Sequence, residues 1–239
     1  MARQWSSALP SAGSLCCLVT DRHRLAPSAD DGRGALVALV DAAARAGVQL
    51  IQIREPDLNG RSLCELVRSC VRATGHTEAR VVVNDRVDVA LAGGAHGVHL
   101  RSDSPSAKRI RDIVPSEFLV GRSVHGAEEA ERVTAEGGLD YLIAGTVFPS
   151  ISKPSGTEIL GVQGLRAIVT RVQVPVLAIG GVTGVTAAAV AETGARGAAA
   201  IGMFCEAGAD TARLEQVVGS IRRSFDTSGR VPARRISEH

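Results

Sequence analysis

Residues 80–100, RVVVNDRVDVALAGGAHGVHL, contain a complete strand–helix–strand unit. The β-branched run at 80–84 and the shorter run at 97–100 are predicted strands, and residues 85–92 form a short predicted helix. A turn of small residues at 94–97 leads into the second strand. A crossover of this kind joins parallel strands through a right-handed connection. The stretch therefore predicts a parallel βαβ unit.

The same alternation recurs along the chain. The predicted strands are residues 15–20, 50–54, 80–84, 97–100, 118–121, 141–145, 176–180 and 197–201. The predicted helices are residues 35–46, 62–74, 107–114, 127–136, 162–172, 185–193 and 211–224, with the short helix at 85–92. Eight such units either close into a barrel or form an open doubly wound sheet. Similar glycine-containing turns before several strands favour the closely packed bottom of a symmetric barrel. We predict a single α/β domain, a (β/α)8 TIM barrel at 15–225, with flexible tails at 1–14 and 226–239.

The composition argues against a nucleic-acid-binding protein and against a membrane-spanning one. The formal net charge is +2, which gives no basic field of the kind that nucleic-acid binding needs. Aromatic residues, on which bases could stack, make up only 3% of the chain. The five cysteines have no metal-ligand spacing, which favours reduced thiols and a cytoplasmic protein. No apolar run reaches the roughly 18 residues of a membrane span. The sequence leaves a homo-oligomer open.

In a TIM barrel the chemistry lies where the strands end and the βα loops begin. Alternation along the second strand places Gln52 and Arg54 on one side, and an inward arginine suits a phosphate. Asn84 ends the third strand and Asp85 follows it, where Asp85 could hold Mg²⁺. Two structural alternatives remain. Arg54 could pair with a carboxylate such as Asp21 or Asp85, and Asn84 or Asp85 could cap the next helix.

The fourth and fifth strands bring further polar side chains to the same end. His99 is a candidate substrate contact, although a buried histidine is more often an inert part of a core. Ser123 and His125 supply a hydroxyl and an imidazole. The fragment at 121–125 that contains them has no carboxylate, so no catalytic triad is predicted.

The remaining candidates favour phosphate binding. The loop at 145–156 contains Ser150, Ser152 and Lys153 in a Pro/Gly-rich setting, which is typical either of a closing phosphate loop or of a solvated surface loop. Bare glycine backbones end the seventh strand, at Gly181, and the eighth, at Gly202. They match the recurrent phosphate site of such barrels, although glycine can also serve only to relieve crowding.

The fragments QIRE, VNDR, GVHL, GRSVH, GTVFPSISKP and AIGGV occur in this order between residues 15 and 204. Together they resemble the thiamine phosphate synthase and thiazole tautomerase superfamily. The resemblance implies transfer of a hydroxymethylpyrimidine from its diphosphate to the nitrogen of a thiazole phosphate. Mg²⁺ would be the cofactor and pyrophosphate the second product. Catalysis would then consist mostly of neutralising the leaving group and aligning the reactants.

The resemblance also assigns roles by position. For the pyrimidine diphosphate it implies Gln52, Arg54 and Asn84, and for the released pyrophosphate Ser123 and Lys153. Asp85 and Asp103 would be Mg²⁺ ligands. Ser150 and Ser152 stand where the family usually has threonines, and Gly181, Ile201 and Gly202 would hold the thiazole phosphate.

Two positions depart from the family pattern. Pro56 stands where a lysine is usual, and Ser104 stands where the second acidic Mg²⁺ ligand is expected, one residue after Asp103. We hypothesise that Arg101, also at a strand end, replaces the missing positive charge. These departures keep two alternatives open. One is a metal-independent thiazole tautomerase with His125 as acid and base, and the other is a non-catalytic barrel that binds a phosphorylated ligand.

Overall fold

The computed structural model describes residues 9–10, 13–25, 32–149 and 158–228. Eight parallel strands form a closed barrel in sequence order, and β8 completes it by pairing with β1. The predicted (β/α)8 fold is confirmed. The strands are β1 (Leu15–Val19), β2 (Leu50–Ile53), β3 (Arg80–Asn84), β4 (Gly97–Leu100), β5 (Leu119–Val124), β6 (Tyr141–Gly145), β7 (Val176–Ile179) and β8 (Gly197–Ala200).

The helices surround the barrel. They are α1 (Arg33–Arg45), α2 (Gly60–Thr74), α3 (Val87–Gly93), α4 (Ala107–Arg111), α5 (Ala127–Ala135), α6 (Gly161–Arg171), α7 (Ala187–Ala191), α8 (Gly202–Ala207) and α9 (Thr211–Ser228). α2 shows how local sequence sets a boundary, because the side chain of Asn59 accepts a hydrogen bond from the Ser62 N–H and caps the helix. The sequence did not predict α8 or the short 3₁₀ helix Arg22–Arg24.

β5 continues three residues beyond its predicted end at residue 121. Arg122 and Ser123 resemble the start of a loop because both are polar. However, the buried Arg122 side chain donates hydrogen bonds to the carbonyl oxygens of Ser102, Ser104 and Pro105 at 2.7–2.9 Å. The arginine therefore ties β5 to the loop after β4 without interrupting the strand.

Alternate side chains of the strands fill the inside of the barrel. Below the mouth they form an interior cluster that is aliphatic except for Cys17 and Tyr141, and Tyr141 is fully buried. A Cβ atom at Gly121, on the neighbouring strand, would lie 2.0 Å from Cζ of Tyr141. Only glycine at 121 leaves room for the ring. The interior cluster consists of Leu15, Cys17, Val19, Leu50, Val82, Leu119, Tyr141, Ile143, Leu177 and Ala199.

The ends of the barrel domain differ in detail from the predicted boundaries. Leu9 packs against the interior cluster, and Arg196 donates to the Pro10 carbonyl oxygen at 3.0 Å. At the other end α9 runs to Ser228, beyond residue 225. The rest of the predicted tails, residues 1–8, 11–12 and 229–239, lies outside the described residues. Within the described part of the chain, no helix is long and apolar enough to cross a membrane.

Candidate active site

A cavity of about 610 Å³ opens at the carboxyl ends of the strands. Its volume is in the usual range for small-molecule sites. It brings together nine of the residues predicted from sequence. These are Gln52, Arg54, Asn84, His99, Ser123, His125, Gly181, Ile201 and Gly202.

Gln52 and Asn84 form a pair on the β2–β3 side of the cavity. The Nε2 atom of Gln52, a residue that is 4% exposed, donates to Oδ1 of Asn84 at 3.0 Å. The bond fixes both amide planes before any ligand arrives. The pair therefore presents an ordered set of amide donors and acceptors to the cavity.

Arg54 lies beside this pair and is exposed at the cavity wall. Neither carboxylate considered for it is its partner, because Asp21 pairs with Arg24 at 3.2 Å and Asp85 lies 3.9 Å from Arg101. In the described part of the chain no ion pair of Arg54 is found. Its guanidinium is thus placed to accept an anionic ligand.

His99 is held inside a hydrogen-bonded chain. Its Nδ1 lies 3.2 Å from the Tyr141 hydroxyl and its Nε2 lies 2.9 Å from the Ser123 hydroxyl. Burial lowers the pKa of His99 to about 3, so the imidazole is neutral near pH 7. A neutral imidazole has one donor and one acceptor. Here one ring nitrogen bonds the Tyr141 hydroxyl and the other bonds the Ser123 hydroxyl, so the ring orients Ser123. Tyr141, the only tyrosine in the sequence, was not predicted as part of the site.

His125 follows β5 and is fixed from two directions. Its Nδ1 lies 2.5 Å from the Gly145 carbonyl oxygen, and its main-chain N–H donates to Oε2 of Glu129 at 2.7 Å. Since a carbonyl oxygen only accepts, Nδ1 carries the proton. Nε2 is then the ring nitrogen that can accept one.

Asp85 lies at the end of β3 in a left-handed backbone conformation, with φ of 59°. It does not cap a helix, because α3 begins after Arg86. Its Oδ1 atom instead accepts a hydrogen bond from the hydroxyl of Ser104. Asp103 forms an exposed ion pair with Arg101. The structure therefore places Ser104, rather than Asp103, in contact with the Asp85 carboxylate.

The glycines at the end of β7 have a packing function. The N–H of Phe148 donates to the Gly180 carbonyl oxygen at 3.0 Å, and a Cβ atom at Gly181 would lie 2.6 Å from the Pro149 carbonyl oxygen. The absence of side chains thus lets the start of the β6–α6 loop approach β7. The two glycines also have positive φ values, 95° and 62°. These glycines thus relieve crowding and also permit a positive φ, and they leave bare backbone on the cavity wall.

The family model for thiamine monophosphate synthase matches residues 16–204. The chain belongs to this family. A thiamine-phosphate synthase of Roseiflexus sp. (strain RS-1) is 37% identical over 192 residues, covering 80% of this chain and 78% of that protein. One of Archaeoglobus fulgidus is 38% identical over 185 residues, covering 77% and 86%. The solved structure of thiamine phosphate pyrophosphorylase from Pyrococcus furiosus has a TM-score of 0.74 at 33% identity, and covers 90% of this chain and 96% of that chain. The resemblance seen in the sequence is confirmed.

Three residues expected in the site of a thiamine monophosphate synthase lie outside the described residues. They are Ser150, Ser152 and Lys153 in the β6–α6 loop. The described ends of that loop meet at the mouth, where the Leu160 N–H donates to the Thr146 carbonyl oxygen at 2.8 Å. The roles of the three residues stay predictions.

A buried ion network around Glu55, the last residue of the QIRE segment, was not predicted from the sequence. The Glu55 carboxylate accepts from the Thr20 hydroxyl at 2.6 Å and from the guanidinium of Arg22 at 3.0 Å. Thr20 Oγ1 in turn accepts from the Arg54 N–H at 3.0 Å. Hydrogen bonds from Arg22 hold the pKa of Asp57 well below its usual range. The network fixes the backbone that carries Arg54.

The positional rule could have located this network. Thr20 follows β1 as Asp85 follows β3, and the sequence after β1, TDRHR at 20–24, is entirely polar. The same segment supplies Arg24, which lines the cavity together with Glu206 of α8. The partners of these residues depend on which strands are neighbours in the barrel, so the sequence alone does not identify them.

Proposed function

We propose that this protein is a thiamine-phosphate synthase. It joins hydroxymethylpyrimidine diphosphate to thiazole phosphate with release of pyrophosphate, as a transferase of thiamine biosynthesis. The observation that carries the proposal is one cavity with two differently built sides. The β2–β5 side has an arginine and ordered amide and hydroxyl groups, whereas the β7–β8 side offers bare glycine backbone. Two phosphorylated substrates can thus face each other.

The β2–β5 side supports binding of the pyrimidine diphosphate. The ordered amides of Gln52 and Asn84 suit the donors and acceptors of an aminopyrimidine ring. Arg54 can bind the diphosphate through two parallel hydrogen bonds. Ser123, oriented by His99, donates to a phosphate oxygen. This arrangement keeps the ring fixed and directs the diphosphate toward the mouth.

The residues around Asp85 fit a Mg²⁺ site that substrate completes. Mg²⁺ in proteins is commonly held by one or two carboxylates together with substrate phosphates and water. Asp85 supplies one carboxylate, and Ser104 brings a hydroxyl oxygen into contact with it. No group of three metal-ligating side chains is found among the described residues, so diphosphate oxygens would provide further ligands. When bound, Mg²⁺ neutralises charge on the leaving diphosphate.

The chemical step requires little from the protein beyond alignment and charge. The bond between the pyrimidine methylene carbon and the diphosphate oxygen breaks, and the thiazole nitrogen supplies the electron pair of the new carbon–nitrogen bond. Arg54 and Ser123 stabilise the negative charge that develops on the diphosphate. His99 stays neutral and holds Ser123 in place. The cavity aligns the two rings, which lowers the entropic cost of their encounter.

The test is formation of thiamine phosphate by purified protein given both substrates and Mg²⁺, followed by chromatography. Product that disappears with EDTA and falls strongly in a Lys153→Ala variant supports the synthase. Absence of product at saturating substrates contradicts it. A thiazole tautomerase would instead convert its thiazole isomers without Mg²⁺, and His125→Ala would abolish that conversion while Lys153→Ala would not.

We expect Ser104→Asp to lower the Mg²⁺ concentration that gives half-maximal rate by several-fold. The substitution places a second carboxylate beside Asp85, where a neutral hydroxyl now lies. The measurement is a Mg²⁺ titration of product formation at saturating substrates. Asp103→Asn is the matched control, since Asp103 is paired with Arg101. If the Mg²⁺ concentration for half-maximal rate is unchanged in Ser104→Asp but raised in Asp103→Asn, the second Mg²⁺ ligand is Asp103.

The protein's partners in this proposal are its two small-molecule substrates, and we propose a cytoplasmic location. All five cysteines are free thiols in the structure. Burial raises the pKa of Cys16 and Cys205 to about 11 and of Cys70 to about 12. Such thiols react slowly and suit a reducing compartment.

A further inference from the structure

We propose that Arg24, in the connection after β1, binds the phosphate group of the thiazole substrate. The inference rests on the proposed function, and it assigns to Arg24 the recognition of one of the two substrates. Arg24 lines the same cavity as Gly181 and Gly202. It would give the β7–β8 side of the cavity a positive charge from a side chain.

The position of the guanidinium follows from the closure of the barrel. Since β1 pairs with β8, the connection after β1 lies beside the end of β8. Nη1 of Arg24 comes within 3.5 Å of the point that a Cβ atom at residue 202 would occupy. The guanidinium therefore borders the bare face of Gly202. A phosphate on that face would be within reach of both the glycine backbone and the arginine.

Arg24 is held in this orientation before a ligand binds. Its Nε donates to Oδ2 of Asp21 at 3.2 Å, and its side chain is 31% exposed. The 3₁₀ helix Arg22–Arg24 is itself anchored, because the main-chain N–H and the guanidinium of Arg22 both donate to Glu55. An arginine fixed in advance loses less conformational entropy when it binds an anion.

Charge balance gives a second argument. Oε1 of Glu206 comes within 3.6 Å of the same point beside Gly202, and Glu206 also lines the cavity. A carboxylate alone would repel a phosphate there. Arg24, although its Nε atom is paired with Asp21, brings Nη1 to the same point and reduces that repulsion. Arg24 lies in the connection after β1 and Arg54 follows β2, and separate KM values for the two substrates distinguish their roles. The two arginines can therefore be tested separately.

The test compares Arg24→Ala and Arg24→Lys with wild type in steady-state synthesis. We expect Arg24→Ala to raise KM for thiazole phosphate roughly 10- to 100-fold, the loss typical of a charge-assisted hydrogen bond. KM for the pyrimidine diphosphate should stay within about twofold, since other residues contact it. Arg24→Lys should recover part of the loss. Arg45→Ala, an exposed arginine on α1 paired with Asp41, is the control and should match wild type.

Calorimetry separates this inference from the proposed function. Thiazole phosphate and the corresponding thiazole alcohol are titrated into wild type and Arg24→Ala. The affinity gained from the phosphate should be present in wild type and largely lost in Arg24→Ala. Suppose that wild type forms product. If Arg24→Ala then keeps its affinity for thiazole phosphate, or binds both substrates equally more weakly, the inference is wrong and the synthase stands. If wild type forms no product yet shows the Arg24-dependent gain, the inference stands and the synthase is wrong. If wild type does not bind thiazole phosphate, both are wrong.

Discussion

Arg54→Ala is expected to lower kcat/KM for the pyrimidine diphosphate by roughly 100- to 1,000-fold, the loss that follows removal of one charged donor from a developing anion. Arg54 lines the cavity beside the Gln52–Asn84 pair, at the end of the strand that carries Gln52. The effect should appear in kcat as well as in KM, because the charge on the diphosphate grows as the carbon–oxygen bond breaks. Steady-state kinetics with saturating thiazole phosphate measures both.

The fold of the Arg54 variant should be unaffected. Arg54 is exposed, and among the described residues its side chain has no ion pair to lose. We expect its urea midpoint to match that of wild type. Arg54→Lys keeps the charge but not the planar pair of donors, so it should recover only part of the rate. Arg132→Ala on α5 removes another exposed arginine and should leave the kinetics unchanged. A kcat/KM of Arg54→Ala within tenfold of wild type would exclude a direct role at the diphosphate.

The inward positions at the mouth could be predicted from the sequence because side chains alternate along a strand. Gln52, Asn84 and His99 all lie at or near the ends of short apolar runs, and each faces the cavity in the structure. The barrel places such ends in one ring. Given the fold, position along the strand is enough to find these residues.

Interactions between different strands could not be predicted in the same way. The contact between Arg24 and Gly202 and the bond between Thr20 and Glu55 depend on which strands are neighbours and in what register. α8 was missed because it has six residues and begins with the glycine that ends the β8 region. In each case the local pattern is compatible with an ordinary loop. The deciding information is tertiary.

Ser104 shows both the use and the limit of a family pattern. The pattern marks residue 104 as unusual, since an acid is expected there, and it directs attention to the neighbouring Asp103. In the structure the hydroxyl of Ser104 donates a hydrogen bond to Asp85, whereas Asp103 forms an ion pair with Arg101. A hydroxyl oxygen thus lies beside Asp85 where the family pattern has a carboxylate, and one negative charge is lost. If Asp85 holds Mg²⁺ as proposed, that loss weakens the binding of the ion.

Glu55→Ala is expected to lower the free energy of unfolding by about 1–3 kcal/mol, the cost of leaving buried donors without their acceptor, since Arg22 keeps its ion pair with Asp57. The side chains of Glu55 and Arg22 are 1% and 6% exposed. The substitution leaves the Thr20 hydroxyl and the Arg22 main-chain N–H without their acceptor. Urea denaturation followed by circular dichroism measures the change.

Glu55→Gln distinguishes the charge from the hydrogen bonds. Glutamine keeps an oxygen for Thr20 and Arg22, so it should cost less than alanine. Asp57→Asn also removes a carboxylate from Arg22, but Asp57 is half-exposed, and the loss should be smaller again. Because the network anchors both Arg54 and the 3₁₀ helix that carries Arg24, Glu55→Ala should also raise KM for both substrates, unlike either arginine variant alone. A urea midpoint of Glu55→Ala equal to that of wild type would mean that the ion network contributes nothing to the stability of the barrel mouth.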